Sequence, residues 1–305
     1  MKLRNPEVRI ENTSLCNGKC TICPREKMTR PKVTMPTRHF YNLVDQAVEL
    51  GAETISVFGY GEPLVDRDTW LKALYCKDKK LKTFITTNAT LLDDYMARKL
   101  LEAEVDLIRF SMHGIYVNDY NKVHKGLDYR DAMQNIFRFL VLNDNGFKHV
   151  TKTSIIAIPM NGDSINNIRK FWEPLVDYLE IWKPHNWAGG RNFRKVDRKR
   201  KTCGRPHSGP IQINADGKVM VCCFDTDATM TVGDTYKDFL EDIIKGDKFN
   251  EIRRKHTEGD LTGLICEHCD QLNIEEASPL LYSNRDEGCN INRTSSTKFN
   301  LLEDN

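Results

Sequence analysis

Nowhere does this sequence run to the roughly 18 consecutive apolar residues that a membrane-spanning helix needs, and its start, MKLRNPEVRIEN, lacks the apolar centre of a signal peptide. Neither a membrane partner nor secretion is expected, and the default compartment is cytoplasmic. Charge of one sign is lacking too. Against 45 Lys and Arg stand 43 Asp and Glu, and a net charge of +2 is too small to announce a nucleic-acid partner. Cysteine, by contrast, is plentiful, with ten in 305 residues. Thiols in a reducing compartment stay reduced, and their clustering here favours metal binding or redox chemistry over a disulfide framework. With 40% hydrophobic residues the chain has material for a substantial core, and its length suggests two domains.

From residue 8 to about 190, short apolar segments alternate with amphipathic ones. Segments 8–11, 54–58, 82–86, 107–112, 153–158 and 179–182 read as strands, and 37–50, 68–75, 93–103, 129–142 and 164–176 read as helices. Such alternation predicts a parallel sheet with crossover helices. Six units are too few to close an eight-stranded barrel, so the expected fold is α/β, a partial (β/α)6 TIM-like barrel or an open curved sheet. The unusual residues fall at the carboxyl ends of these strands: Cys16–Cys23, then Gly59-Tyr-Gly-Glu-Pro63, Thr86-Thr-Asn88, Ser111-Met-His113, Met160-Asn161 and His185-Asn186. That rim is where parallel α/β sheets bind ligands, so distant motifs converge on one pocket. Each taken singly reads as a polar loop residue.

The loop CNGKCTIC holds Cys16, Cys20 and Cys23, and no fourth cysteine stands nearby to complete a tetrahedral zinc site. Three thiolates suit a four-iron cubane whose last iron stays open to an exogenous ligand; a zinc ion completed by a distant residue is the other reading. The C-x3-C-x2-C spacing after the first strand resembles the signature of the radical S-adenosylmethionine (radical SAM) superfamily. The resemblance covers residues 8 to about 190. It implies a [4Fe–4S] cluster on Cys16, Cys20 and Cys23, with S-adenosylmethionine chelating the open iron through its amino and carboxylate groups.

The segment VFGYGEPLV is similar to that superfamily's GGEP motif, with Tyr60 standing where the common form has its first glycine. By resemblance, Gly61, Glu62 and Pro63 bind the methionyl amino group, since a carboxylate accepts hydrogen bonds from an ammonium and glycine lets backbone approach a ligand. Polar groups at the ends of the third and fourth strands, Asn88 and Ser111, are expected near the methionyl carboxylate and the ribose. His113 is read as satisfying a local backbone group. Ile22 stands where many relatives place an aromatic over adenine.

Beyond residue 190 the pattern changes. Arg191, Arg194, Lys195, Arg198, Lys199, Arg200 and Lys201 form a basic stretch that reads first as a solvated linker and second as a grip for phosphate or an acidic peptide. Two alternating segments around Asp216-Gly217 predict a hairpin, and a helix is expected over 236–255. Cys203, Cys222, Cys266 and Cys269, from three segments, suffice to close one metal site. Their order, C-x13-G-x4-C followed by C-x2-C, resembles SPASM and the shorter twitch domains appended to radical SAM enzymes, and implies one auxiliary [4Fe–4S] cluster. Zinc remains the other reading of four thiolates. Cys76, Cys223 and Cys289 are left unassigned. The expected division is a barrel domain over 1–190, a small α+β twitch/SPASM-like domain over 191–290 and a flexible tail over 291–305.

The resemblance implies reductive cleavage of S-adenosylmethionine to a 5′-deoxyadenosyl radical, with a low-potential donor such as flavodoxin or ferredoxin as partner, and hydrogen abstraction from a small-molecule or peptide substrate. Twitch-type dehydrogenases of aminoglycoside biosynthesis have a similar cysteine order, so oxidation of a sugar- or cyclitol-like substrate is the first expectation. Peptide modification is the second, lowered because no peptide-recognition domain precedes residue 8. A noncatalytic metal-binding module is the third.

Overall fold

The computed structural model describes residues 2–160, 164–196, 200–273 and 280–285. Asn161, Asp197, Arg198, Lys199, Cys289 and residues 291–305 lie outside the described residues. Six strands alternate with helices in the first half: β1 (Glu7–Ile10), α1 (Thr37–Glu49), β2 (Thr54–Val57), α2 (Thr69–Asp78), β3 (Lys82–Thr87), α3 (Asp94–Glu102), β4 (Leu107–Ser111), α4 (Val117–Val123), α5 (Tyr129–Val141), β5 (Lys152–Ala157), α6 (Ile165–Trp172) and β6 (Tyr178–Trp182). They pair in parallel in the spatial order β6-β5-β4-β3-β2-β1. This is the α/β partial-barrel arrangement that the alternation predicts. Helix α4, short and polar, was not predicted.

The second half adds α7 (Arg205–Ser208), β7 (Ile211–Ile213), β8 (Lys218–Met220), β9 (Thr231–Asp234), α8 (Leu240–Lys245), α9 (Asp247–Glu258) and β10 (Leu280–Ser283). The predicted hairpin is present, with Ile213 opposite Val219 and Gly217 at φ +80°, a conformation that the Cβ of other residues disfavours. Strand β7 lies parallel to β1, with Gln212 opposite Arg9, so the hairpin extends the same sheet. Antiparallel β10 covers the far edge at β6. The single helix expected over 236–255 is instead two, α8 and α9, separated by Gly246 in extended conformation.

Alternation along the strands sorts the two faces of the sheet. Val8, Ile10, Ile108, Phe110, Ile155, Ala157, Leu179 and Ile181 join the main core with Phe40, Leu43, Val44 and Ala47 of α1. Truncating Phe40, fully buried at that layer, would cost about 3–5 kcal/mol. The intervening residues Arg9, Arg109, Glu180 and Trp182 point to the other face, and Arg9, Arg109 and Trp182 line a cavity of about 200 Å³. Charge in the middle of these strands is therefore directed inward, opposite the helices.

Candidate functional site

At the carboxyl end of β1, the three-cysteine loop is held from several sides. The backbone amides of Lys19 and Thr21 donate to the carbonyls of Lys125 and Val123. The Trp187 indole donates to the Ile22 carbonyl at 2.9 Å. Arg191 donates to the carbonyls of Thr21 and Cys23 and pairs with Glu26 at 2.8 Å. Burial pushes Cys16 up to about 11, Cys20 up to about 12 and Cys23 upward as well, and at Cys16 and Cys20 the neighbouring thiolates add to the rise. Buried thiols this reluctant to ionise gain most from a cationic metal, which inverts the local preference.

Glu62 lies beside them, 3% exposed, and its carboxylate accepts from the Thr87 hydroxyl at 2.6 Å, the Asn88 amide at 2.7 Å and the Leu64 amide at 3.1 Å. Desolvation raises it to about 7 despite these bonds. No cation is among its partners in the described residues, so a buried carboxylate faces the thiol loop ready for a ligand ammonium. The donor set thus fits the group that the sequence implies: three thiols for a cluster and one oriented acid for the amine of its cosubstrate.

The structure adds local partners to the other expected site residues. Gly61 has a packing reason of its own. A Cβ there would lie 1.9 Å from the Thr13 carbonyl oxygen, so this glycine lets the Glu62 loop close on the β1 loop, where the Glu62 amide donates to Leu15. Pro63 is buried, and its carbonyl accepts from Asn12 and Thr69. The Asn88 side chain is engaged within the loops, donating to Asn17 at 3.0 Å and accepting from Thr90; its amide is what meets Glu62. Ser111 ends β4 half-buried, opposite Ile156, which lines the cavity. His113 Nδ1 is buried without a partner among the described residues, and the His113 amide donates to His124 Nε2 at 3.2 Å.

His124 itself was missed. Its Nδ1 is 3.5 Å from Cys20 Sγ, and its ring stacks between Tyr120 and His113 at 4.2 and 4.8 Å. The basic stretch is also misread as a linker at two positions. Arg191 clamps the cysteine loop, and Arg194 pairs with fully buried Asp270 at 3.3 Å.

In the second half, Cys203, Cys222, Cys266 and Cys269 all line one small cavity together with His256. Burial raises Cys203, Cys266 (to about 12) and Cys269, a hydrogen bond with Cys223 followed by burial raises Cys222, and His256 approaches Cys266 Sγ at 3.5 Å. Among the described residues, no three His, Cys, Asp or Glu side chains are drawn together tightly enough to hold a single metal ion. Cys223 lines the larger cavity instead, and its thiol is held low first by a hydrogen bond with Cys222 and then by Arg205, which donates to its sulfur at 2.6 Å. Arg205, Phe224 and Gln271 line both cavities, so the two share a wall. Cys76 is fully buried in the core of α2, an apolar packing residue. No helix among the described residues is long and apolar enough to cross a membrane.

Residues 10–171 match the Radical SAM superfamily, and residues 203–270 match an iron–sulfur cluster-binding domain, SPASM. The chain is 27% identical over 198 residues to an uncharacterized protein of Methanocaldococcus jannaschii, covering 64% of each. It is 32% identical over 127 residues to the Fe-coproporphyrin III synthase of Methanosarcina barkeri, covering 41% of this chain and 32% of that one. The matches thus span less than two thirds of these relatives' length. Among solved structures, BtrN in complex with AdoMet and 2-DOIA aligns with a TM-score of 0.64 at 19% identity, over 93% of this chain and all of that one. SuiB of Streptococcus suis bound to precursor peptide SuiA aligns with a TM-score of 0.66 at 16% identity, over 82% of this chain and 66% of that one.

Proposed function

The chain belongs to the radical SAM superfamily, as an enzyme with a C-terminal SPASM iron–sulfur cluster-binding domain, and from that premise we propose that it is an oxidoreductase acting on a small molecule of sugar or cyclitol type. Its cofactors are a [4Fe–4S] cluster with S-adenosylmethionine and auxiliary iron–sulfur. Cys16, Cys20 and Cys23 would hold the first cluster, and Cys203, Cys222, Cys266 and Cys269 an auxiliary one. When bound, the cluster and cosubstrate supply a 5′-deoxyadenosyl radical for hydrogen abstraction.

The remaining work falls to the chain's own residues. Thr87, the Asn88 amide and the Leu64 amide orient Glu62 toward the cosubstrate amine. Trp187 and Arg191 fix the cysteine loop. Phe58, Tyr60, Trp182, Trp187 and Phe224 wall the larger cavity and keep bulk water from the substrate. The observation that supports oxidation is the shared wall: the four thiols of the second site lie across Arg205, Phe224 and Gln271 from the cavity. A cluster with four cysteine ligands has no open iron for substrate, and its service is to accept an electron. The cavity, about 200 Å³, suits a small molecule better than a peptide segment. We also propose the division into a barrel unit over 1–190 and an auxiliary unit over 191–290, supported by the two matched ranges.

The test is anaerobic assay of the reconstituted protein with a chemical reductant and cyclitols deuterated at each secondary alcohol carbon. Deuterium in 5′-deoxyadenosine with formation of a ketone supports the reading. Transfer only from a peptide, or none from any cyclitol, overturns the substrate assignment. Replacing Cys16, Cys20 and Cys23 by Ala together should abolish 5′-deoxyadenosine formation, and full activity of that variant would overturn the site.

A further inference from the structure

The larger cavity contains buried donors that nothing described so far uses. Among the described residues, Arg109 Nε on β4, Trp182 Nε1 on β6 and Gln212 Nε2 on β7 are each buried without a hydrogen-bond partner, and all three residues line the cavity. They are 8%, 4% and 6% exposed, so bulk water does not reach them freely. All three atoms are N–H donors. His185 Nδ1, also unpartnered on this cavity, donates or accepts according to its tautomer, so the unmet donors outnumber any unmet acceptor and select a group rich in acceptors.

Charge points the same way. The cavity is lined by Arg9, Arg109 and Arg205 against the Glu11 carboxylate and the Cys223 thiol that is held low beside Arg205, while Arg9 also pairs with Glu7 at 2.7 Å. Glu11 is already engaged by Arg30, by the Tyr60 amide at 2.8 Å and by the Ala215 amide at 3.0 Å. Glu180, which pairs with Arg109 at 2.9 Å, is shared with Arg285 at 3.7 Å. Burial first, and then the guanidiniums of Arg285 and Arg9, push Arg109 below the usual arginine range against the opposing pull of Glu180.

We infer that the substrate carries an oxyanionic group, a carboxylate or a phosphate, held by Arg109, Trp182 and Gln212, while its body packs on the aromatic wall of Phe58, Tyr60 and Phe224. This rests on the radical SAM reading of the same cavity and narrows its substrate class to sugar- or cyclitol-like molecules that carry an acidic group. An anion at this depth is bound by charge-assisted hydrogen bonds in a dry site, where they are strongest.

The test uses benzoate, phenyl phosphate and benzamide, which share a ring and differ in charge. Binding is measured by anaerobic calorimetry on the reconstituted holoenzyme with saturating S-adenosylmethionine, so that the cosubstrate's own carboxylate already occupies its place. We expect one of the anions to bind at least tenfold tighter than benzamide, and the anion that leads names the group. In the double variant W182F/Q212M, which removes two unpaired donors and no ion pair, that preference should fall at least fivefold, with iron content as the control for folding. Equal binding of benzamide, binding of none of the three, displacement of the anion by S-adenosylmethionine, or an unchanged preference in the double variant overturns the inference. Failure of the enzyme to form 5′-deoxyadenosine without any probe would instead overturn the functional reading, so the two failures are distinguishable.

Discussion

The Tyr60 hydroxyl donates to the carbonyl oxygen of Cys223 at 2.7 Å and accepts from the Thr226 hydroxyl at 3.1 Å. The residue that replaces a motif glycine beside Glu62 therefore reaches across the cavity to the strand end that presents Cys222. Its backbone is fixed from below by Glu11, which accepts the Tyr60 amide. One side chain thus links the Glu62 loop to the loop that carries Cys222 and Cys223. Tyr60→Phe should cost about 1–2 kcal/mol in thermal unfolding, because the Cys223 carbonyl and Thr226 hydroxyl lose a partner in a buried place. It should also speed loss of auxiliary iron to a chelator while leaving the first cluster in place. Equal chelation rates for both proteins would show that the bond is incidental.

Glu62 sets a pH dependence with a definite sign. Its folded value, about 7, lies above the ordinary 4.5, so between these values the folded protein holds a proton that the unfolded chain has lost. Stability contributed by this group is complete below about pH 4.5 and declines as pH rises toward 7. Binding of the cosubstrate ammonium needs the ionised form and so follows the opposite course, with affinity rising to about pH 7. Glu62→Gln should flatten both slopes and weaken S-adenosylmethionine binding by roughly tenfold or more, the worth of a hydrogen bond between charged groups. Calorimetric titration from pH 5.5 to 8 checks this. An affinity flat over that range removes Glu62 from the site.

The Glu62 loop also rests on a buried ion pair absent from any sequence motif. Lys72, with no exposed surface, pairs with Asp66 and donates to the Met35 carbonyl at 2.8 Å, while Asn12 bridges Asp66, Pro63 and Thr69. Lys72→Ala leaves the Asp66 charge uncompensated and should destabilise the fold by about 3–5 kcal/mol. Lys72→Ala combined with Asp66→Ala should recover part of that loss in urea denaturation, since no unpaired charge remains. If the double variant is no more stable than the single one, the cost lies in packing and not in charge.

How much of this was legible depended on whether a residue's partner lies near it in sequence. The parallel strands could be read because their apolar periodicity is local, and observed ends differ by a residue or so from expected ones. The three-cysteine loop was legible because its spacing carries its meaning. Helix α4 was not, since Val117–Val123 is short and mostly polar, yet it delivers His124 to Cys20. The basic stretch misled because charge alone reads as solvated, and only the fold brings Arg191 to the Cys23 carbonyl and Arg194 to Asp270. A signal for the cavity was present: Arg9, Arg109 and Glu180 each interrupt an apolar strand, and alternation directs such residues to the face opposite the core.

The second site allows the sharpest separation of cleavage from oxidation. Cys266 and Cys269 lie one turn of chain apart, with Cys266 in the short helical segment Ile265–His268 and Cys269 as its cap, and both sulfurs line the cavity that holds Cys203 and Cys222. Replacing both by Ala removes half of that thiol set without touching Cys16, Cys20 or Cys23. Because metal binding is coupled to folding, the variant should lose the auxiliary iron and unfold at lower temperature. It should still form 5′-deoxyadenosine, as the Glu62 loop and the first cysteine loop are intact. Oxidised product should fall well below the amount of 5′-deoxyadenosine released, since the electron acceptor across Arg205 and Phe224 is gone. Iron and sulfide analysis, Mössbauer spectra and the ratio of product to 5′-deoxyadenosine measure each part. A ratio unchanged from the wild type would assign the auxiliary site a structural role and turn the reading toward a redox-neutral radical reaction.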